Sequence, residues 1–128
     1  MQPNITITYQ PVTRFEVGDP AATNYLEEEG FVVFASALTE NEADRAITLL
    51  WDYLEGLGTG VDRNQIETWD DDRWPTTVHG AILPSYGIGH TAAQWYIRDI
   101  ANVKNAFAQV WDTDDLLVSF RQIDTIGI

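Results

Sequence analysis

The side chains with the widest chemical reach in this sequence are two histidines, His79 and His90, set among 20 acidic residues. Two imidazoles and one carboxylate make the facial triad that holds non-haem iron with positions left open, and one histidine usually stands two residues from the carboxylate. His79 is followed by Gly80 and Ala81, and His90 by Thr91 and Ala92. Neither makes that pair, and both histidines would have to be ligands. The reading is of loop and helix-start histidines, with no residue assigned as a metal ligand.

Calcium is the next chemistry the carboxylates invite, through Asp70, Asp71 and Asp72 or through Asp112, Asp114 and Asp115. An EF-type loop needs glycine at its sixth position and glutamate at its twelfth. Counted from Asp112 those places hold Leu117 and Ile123, and from Asp70 they hold Pro75 and Ala81. Solvated turns fit better. Gly56, Gly58 and Gly60 resemble a phosphate loop in composition, but such a loop follows a strand and opens a helix, whereas these glycines follow an amphipathic segment and stop it. Ser36, Ser85 and Ser119 lie in no Gly-x-Ser-x-Gly elbow, and acid–base carboxylate pairs cannot be picked out of so acidic a chain by spacing. No catalytic residue is assigned, and cofactor-binding residues stay unassigned.

The elements that must position these groups are easier to read. Ala21 to Glu29 predicts a short helix closed by Gly30, followed by a compact strand at Phe31, Val32, Val33 and Phe34. Thr39 and Glu42 form a capping box opening a helix to Leu57, with Ala43, Ala46, Ile47, Leu50, Trp51, Leu54 and Leu57 on one apolar face and Asp44, Arg45, Thr48, Asp52 and Glu55 facing solvent. Residues 59–84 read as irregular, broken by Gly60, Pro75, Gly80 and Pro84. A second helix starts near His90 and Thr91 and carries Trp95, Tyr96 and Ile97. Asn102 is the expected cap of a third, with Val103, Ala106, Phe107, Val110 and Trp111 on one face. After a turn at Asp112–Asp115, Leu116 to Phe120 reads as a strand, and Asn4 to Tyr9 as a weak edge strand or arm.

Composition bounds the function classes. The 128 residues are 45% hydrophobic and 21% charged, with five each of Trp, Tyr and Phe, which is a folding composition. Seven basic side chains against 20 acidic ones give a formal charge of −13, which repels phosphate backbones and anionic lipids, so neither nucleic acid nor membrane is an expected partner. There is no cysteine. With no signal-peptide pattern and no apolar run long enough to span a bilayer, an intracellular, cytoplasmic location is expected.

Five stretches carry a family resemblance: Leu26–Phe34 (LEEEGFVVF), Leu49–Glu55 (LLWDYLE), Asp62–Pro75 (DRNQIETWDDDRWP), Tyr86–Trp95 (YGIGHTAAQW) and Trp111–Phe120 (WDTDDLLVSF). In this order they resemble the N-terminal half of phytanoyl-CoA dioxygenase-like proteins. The resemblance implies an α+β chain made of the N-terminal helices and first strands of a double-stranded β-helix, a jelly roll. It further implies that the complete domain uses Fe(II), 2-oxoglutarate and oxygen to hydroxylate small organic or lipid-derived substrates. The family's His-x-Asp pair, its distant histidine and its 2-oxoglutarate-binding basic residue all follow the strand matched here by Leu116–Phe120. None can be carried onto a residue of this chain.

The expected organisation is an N-terminal arm over residues 1–24, the dioxygenase-like part over 25–120 and an atypical tail over 121–128. Arg121 to Ile128 do not look like the family's continuation, so a truncated product, inactive alone and holding no cofactor, is the expectation. Self-association or pairing with a full-length relative would cover its open surfaces. The alternatives are a non-catalytic interaction or regulatory module, and an active enzyme whose iron ligands come from a second chain.

Overall fold

A computed structural model of the chain describes residues 11–77, 83 and 87–118. The first described element, β1 (Phe15–Glu16), is followed after a short turn by helix α1 (Pro20–Glu29). Asp19 caps α1 by accepting the Ala21 N–H at 2.9 Å. Pro20 follows in the first turn, where a missing N–H leaves no intrahelical bond unmade. At the far end Gly30 takes φ 78° and donates its N–H to the Leu26 carbonyl, a left-handed cap that a side chain would strain.

The strand expected at Phe31–Phe34 is shorter and shifted. β2 spans Phe34–Ala35 and pairs in parallel with β1, Phe15 opposite Phe34 and Glu16 opposite Ala35. Pairing stops where β1 bends away: the Asp19 N–H folds back onto the Glu16 carbonyl at 3.1 Å. Phe31 is left half exposed and meets Tyr25 edge-on at 5.6 Å, while Tyr25 also contacts Phe15 at 5.2 Å. The three rings tie α1 to β1 and to the segment that leads into β2.

Helix α2 (Glu40–Gly56) is the longest element, and its start is as the capping box predicts. Thr39 Oγ1 accepts the Glu42 N–H at 3.3 Å while Glu42 Oε2 accepts the Thr39 N–H at 2.8 Å. That backbone N–H, and then the Thr39 hydroxyl, hold the Glu42 carboxyl below the usual carboxylate range. Of the face expected to be apolar, Ala46 and Leu54 are buried and Leu50 and Trp51 half-buried, but Ile47 lies exposed at the edge.

The core is Leu54, Val61, Leu83 and Ile88, with Leu50, Trp51, Tyr53 and Trp74 packed against it. Helix α3 (Ala92–Asp99) packs on α2, and α4 (Ala101–Trp111) on α3. Thr91, buried, caps α3 through the Gln94 N–H at 3.3 Å. Asn102 does not cap α4. A single buried residue, Ile100, links the two helices and takes that place with no side-chain bond, and the Asn102 amide instead donates to the Ser36 carbonyl at 3.4 Å.

Leu116 to Val118, the described part of the strand expected at Leu116–Phe120, is not in a strand, and Leu117 is 95% exposed. Ser119 and Phe120, the tail 121–128 and the segment Asn4–Tyr9 lie outside the described residues. Among the described residues no helix is long and apolar enough to cross a membrane.

Candidate functional site

Residues 59–77, irregular in sequence, are held by a dense set of local bonds. Asp62 organises them: its carboxylate accepts the Asn64 N–H and the Gln65 amide, each at 2.8 Å, and its carbonyl accepts the Trp69 indole N–H at 2.8 Å. Its own N–H donates to Thr68 Oγ1 at 2.9 Å. Gly58 and Gly60, at φ 72° and 89°, take left-handed conformations after α2, and Gly60 faces the Arg73 side chain.

Arg63 then ties this loop back to α2. It donates from Nη2 to Glu55 Oε2 at 2.7 Å and to Asp52 Oδ1 at 2.5 Å, from Nε to Glu55 Oε1 at 3.0 Å, and from its backbone N to the same oxygen at 2.8 Å. Glu55 is therefore no free solvent-facing residue, although helical periodicity puts it on the polar side. The Arg63 side-chain and then backbone N–H groups lower the Glu55 carboxyl from 4.5 to about 2. Arg63 is in turn held more firmly protonated than usual by Glu55 and then Asp52. A carboxylate ionised at any physiological pH beside a permanently charged guanidinium has no proton to trade near neutrality, so this node is a structural clamp.

Beneath it the Trp51 ring lies 5.1 Å from Trp69 and 6.1 Å from Trp74, the second pair edge to face. Trp51 thus joins Trp69 and Trp74 of the loop to α2.

Of the sequence candidates, His79 and Ser85 lie outside the described residues, as does Ser119. His90 ends a 3-10 turn over Ile88–His90, exposed, with its ring 6.4 Å from Trp95. Asp70 pairs with Arg73, and Asp71 and Asp72 are exposed. Asp112, Asp114 and Asp115 are exposed after α4, Asp112 forming its left-handed cap at φ 50°. Ser36 is also left-handed, at φ 52°, and what it offers its neighbours is its carbonyl. Among the described residues no three His, Asp or Glu side chains converge as a metal site, and His90 with the described carboxylates does not fit an iron triad.

Sequence reasoning missed two further polar anchors. Arg98 donates to the Gly89 carbonyl at 2.6 Å with its guanidinium 5.2 Å over the Trp95 ring. Beside it a recess of about 420 Å³ is lined by Trp95, Arg98, Asp99, Lys104 and Val118, Lys104 pairing with Asp99 at 3.0 Å. The other anchor is Gln109, which accepts the Gly18 N–H and donates to the Asp19 carbonyl, both at 2.7 Å. An i,i+9 spacing and a separation of some ninety residues leave no local signature. Neither recess nor anchor joins a base to a nucleophile.

No protein-family model matches the chain, and no solved structure matches it. Among curated proteins it is 30% identical over 95 residues to Ava biosynthesis cluster protein O of Aspergillus versicolor. The match covers 74% of this chain and 30% of that protein, so the chain spans less than a third of the relative's length.

Proposed function

We propose that this chain is the helical scaffold of a dioxygenase-like enzyme domain of biosynthetic metabolism, one that supports an iron- and 2-oxoglutarate-dependent centre without itself carrying it. The observation behind this reading is what the family-like blocks do. Leu49–Glu55 supplies Leu54 and the Glu55 end of the clamp, and Asp62–Pro75 supplies Arg63, Trp69 and Trp74. Tyr86–Trp95 supplies Ile88 and Ala93. The resemblance therefore rests on core and anchoring residues, which specify a framework and no reacting group. The name of the Aspergillus versicolor relative supports the metabolic setting.

A hybrid in which this chain replaces the matched segment of the Aspergillus versicolor protein tests the reading. It should fold and release succinate from 2-oxoglutarate only with Fe(II), while this chain alone releases none. A folded hybrid without succinate overturns the dioxygenase assignment, and succinate from the chain alone overturns the scaffold role. A second reading, a module that pairs with another protein, is favoured by the exposed apolar residues of α4.

A further inference from the structure

Burial is uneven along the chain. Across residues 15–35 and α4 the single buried residue is Ala22, and one methyl group removes little apolar area from water. The core residues Leu54, Val61, Leu83 and Ile88 all lie between α2 and the start of α3, where the two helices pack together. Segments open locally at least cost where few apolar side chains are buried.

The chain crosses between these two parts at two places. One is Ser36 to Leu38, ahead of α2, with Ser36 at φ 52°, and the other is Ile100, the single residue between α3 and α4. The crossings lie side by side, because the Asn102 amide, two residues after Ile100, donates to the Ser36 carbonyl. The Lys104–Asp99 ion pair spans the second crossing on the surface, where such a pair holds weakly.

Two turns further along α4, Gln109 accepts the Gly18 N–H, donates to the Asp19 carbonyl and reaches the Thr23 hydroxyl at 3.5 Å. Helix α4 is therefore fastened at one end to the residue after β2 and at the other to the turn between β1 and α1. Neither partner can leave alone without breaking these bonds.

We infer that residues 15–35 and α4 form one cooperative opening unit, coupled through the Gln109 side chain, which comes away from a closed α2–α3 core. Opening uncovers Ile100 and the side of α3 on which α4 packs. The inference involves no iron chemistry, so the succinate assay of the hybrid and the exchange measurement below can fail separately.

Native-state hydrogen exchange of the full chain in rising, sub-denaturing urea reads the openings. The mid-helix amides of Leu26 in α1 and Phe107 in α4 should share one urea dependence and be at least about tenfold less protected than the Leu50 amide of α2. Gln109→Ala should split them, giving Leu26 and Phe107 separate urea dependences with Leu50 unchanged. Asn105→Ala, on the same helix, should leave them joined. Leu54→Val, which trims the core, should speed exchange at Leu50 and leave Leu26 and Phe107 as they are. Separate urea dependences in the parent, a joined pair in Gln109→Ala, a Leu50 amide that loses protection with them in that variant, or an equal acceleration of all three in Leu54→Val would each overturn the inference.

Discussion

Gln109 on α4 holds Gly18, ninety-one residues earlier, by accepting its N–H at 2.7 Å, and holds Asp19 by donating to its carbonyl at the same distance. One amide thus joins the last described helix to the turn between β1 and α1. Gly18 stands at φ 94°, a left-handed backbone conformation that a residue with a side chain would adopt only under strain.

Removing this bridge should loosen the N-terminal unit first. Gln109→Ala is expected to cost about 0.5–1.5 kcal/mol, the net worth of an intramolecular hydrogen bond whose partners can turn to water. Hydrogen exchange checks it: the Gly18 amide should lose protection while amides of α2 keep theirs.

The core should answer very differently from the loop above it. Leu54→Ala removes a buried side chain and should cost about 2–5 kcal/mol, and Trp51→Ala, which also unstacks Trp69 and Trp74, about 3–5 kcal/mol. Ile66, 73% exposed, should tolerate alanine within about 0.5 kcal/mol. Urea midpoints compare them, and equal shifts for Ile66→Ala and Leu54→Ala would mean that the buried face of α2 is misassigned.

At the start of α2, Thr39→Ala should cost about 1 kcal/mol, because the Glu42 N–H loses its acceptor. It should return the Glu42 carboxyl only part of the way toward its ordinary value, since the change removes the Thr39 hydroxyl but keeps the residue-39 backbone N–H, the larger of the two groups that lower it. A carboxyl-resolved NMR titration reads that shift directly.

The Arg63 clamp should make stability fall on acidification. Glu55 has a folded value of about 2 against an ordinary 4.5, so its contribution is present above about 4.5 and is lost as pH falls toward 2. Glu55→Gln should melt below the parent at neutral pH, and the two curves should converge near pH 2. A constant gap at every pH would show that the clamp acts through packing alone.

What the sequence determines here is local and periodic. Thr39 and Glu42 at capping-box spacing and Gly30 after an acidic helix are short-range bonds, so the starts and stops they dictate are where the chain places them. The apolar repeat of α2 is likewise local, and Leu54 and Ala46 are buried as it requires. Tertiary structure decides what spacing cannot carry. Glu55 looks solvent-facing until the loop after Gly60 folds Arg63 onto it, and Asn102 looks like a cap until Ile100 links α3 to α4 and frees its amide for Ser36. Phe107 and Trp111 carry the periodicity of a buried stripe, yet they are exposed, while Val103 and Ala106 of the same stripe are half-buried along with Gln109. Periodicity states which residues share a face, and only contacts between distant segments state which way that face points.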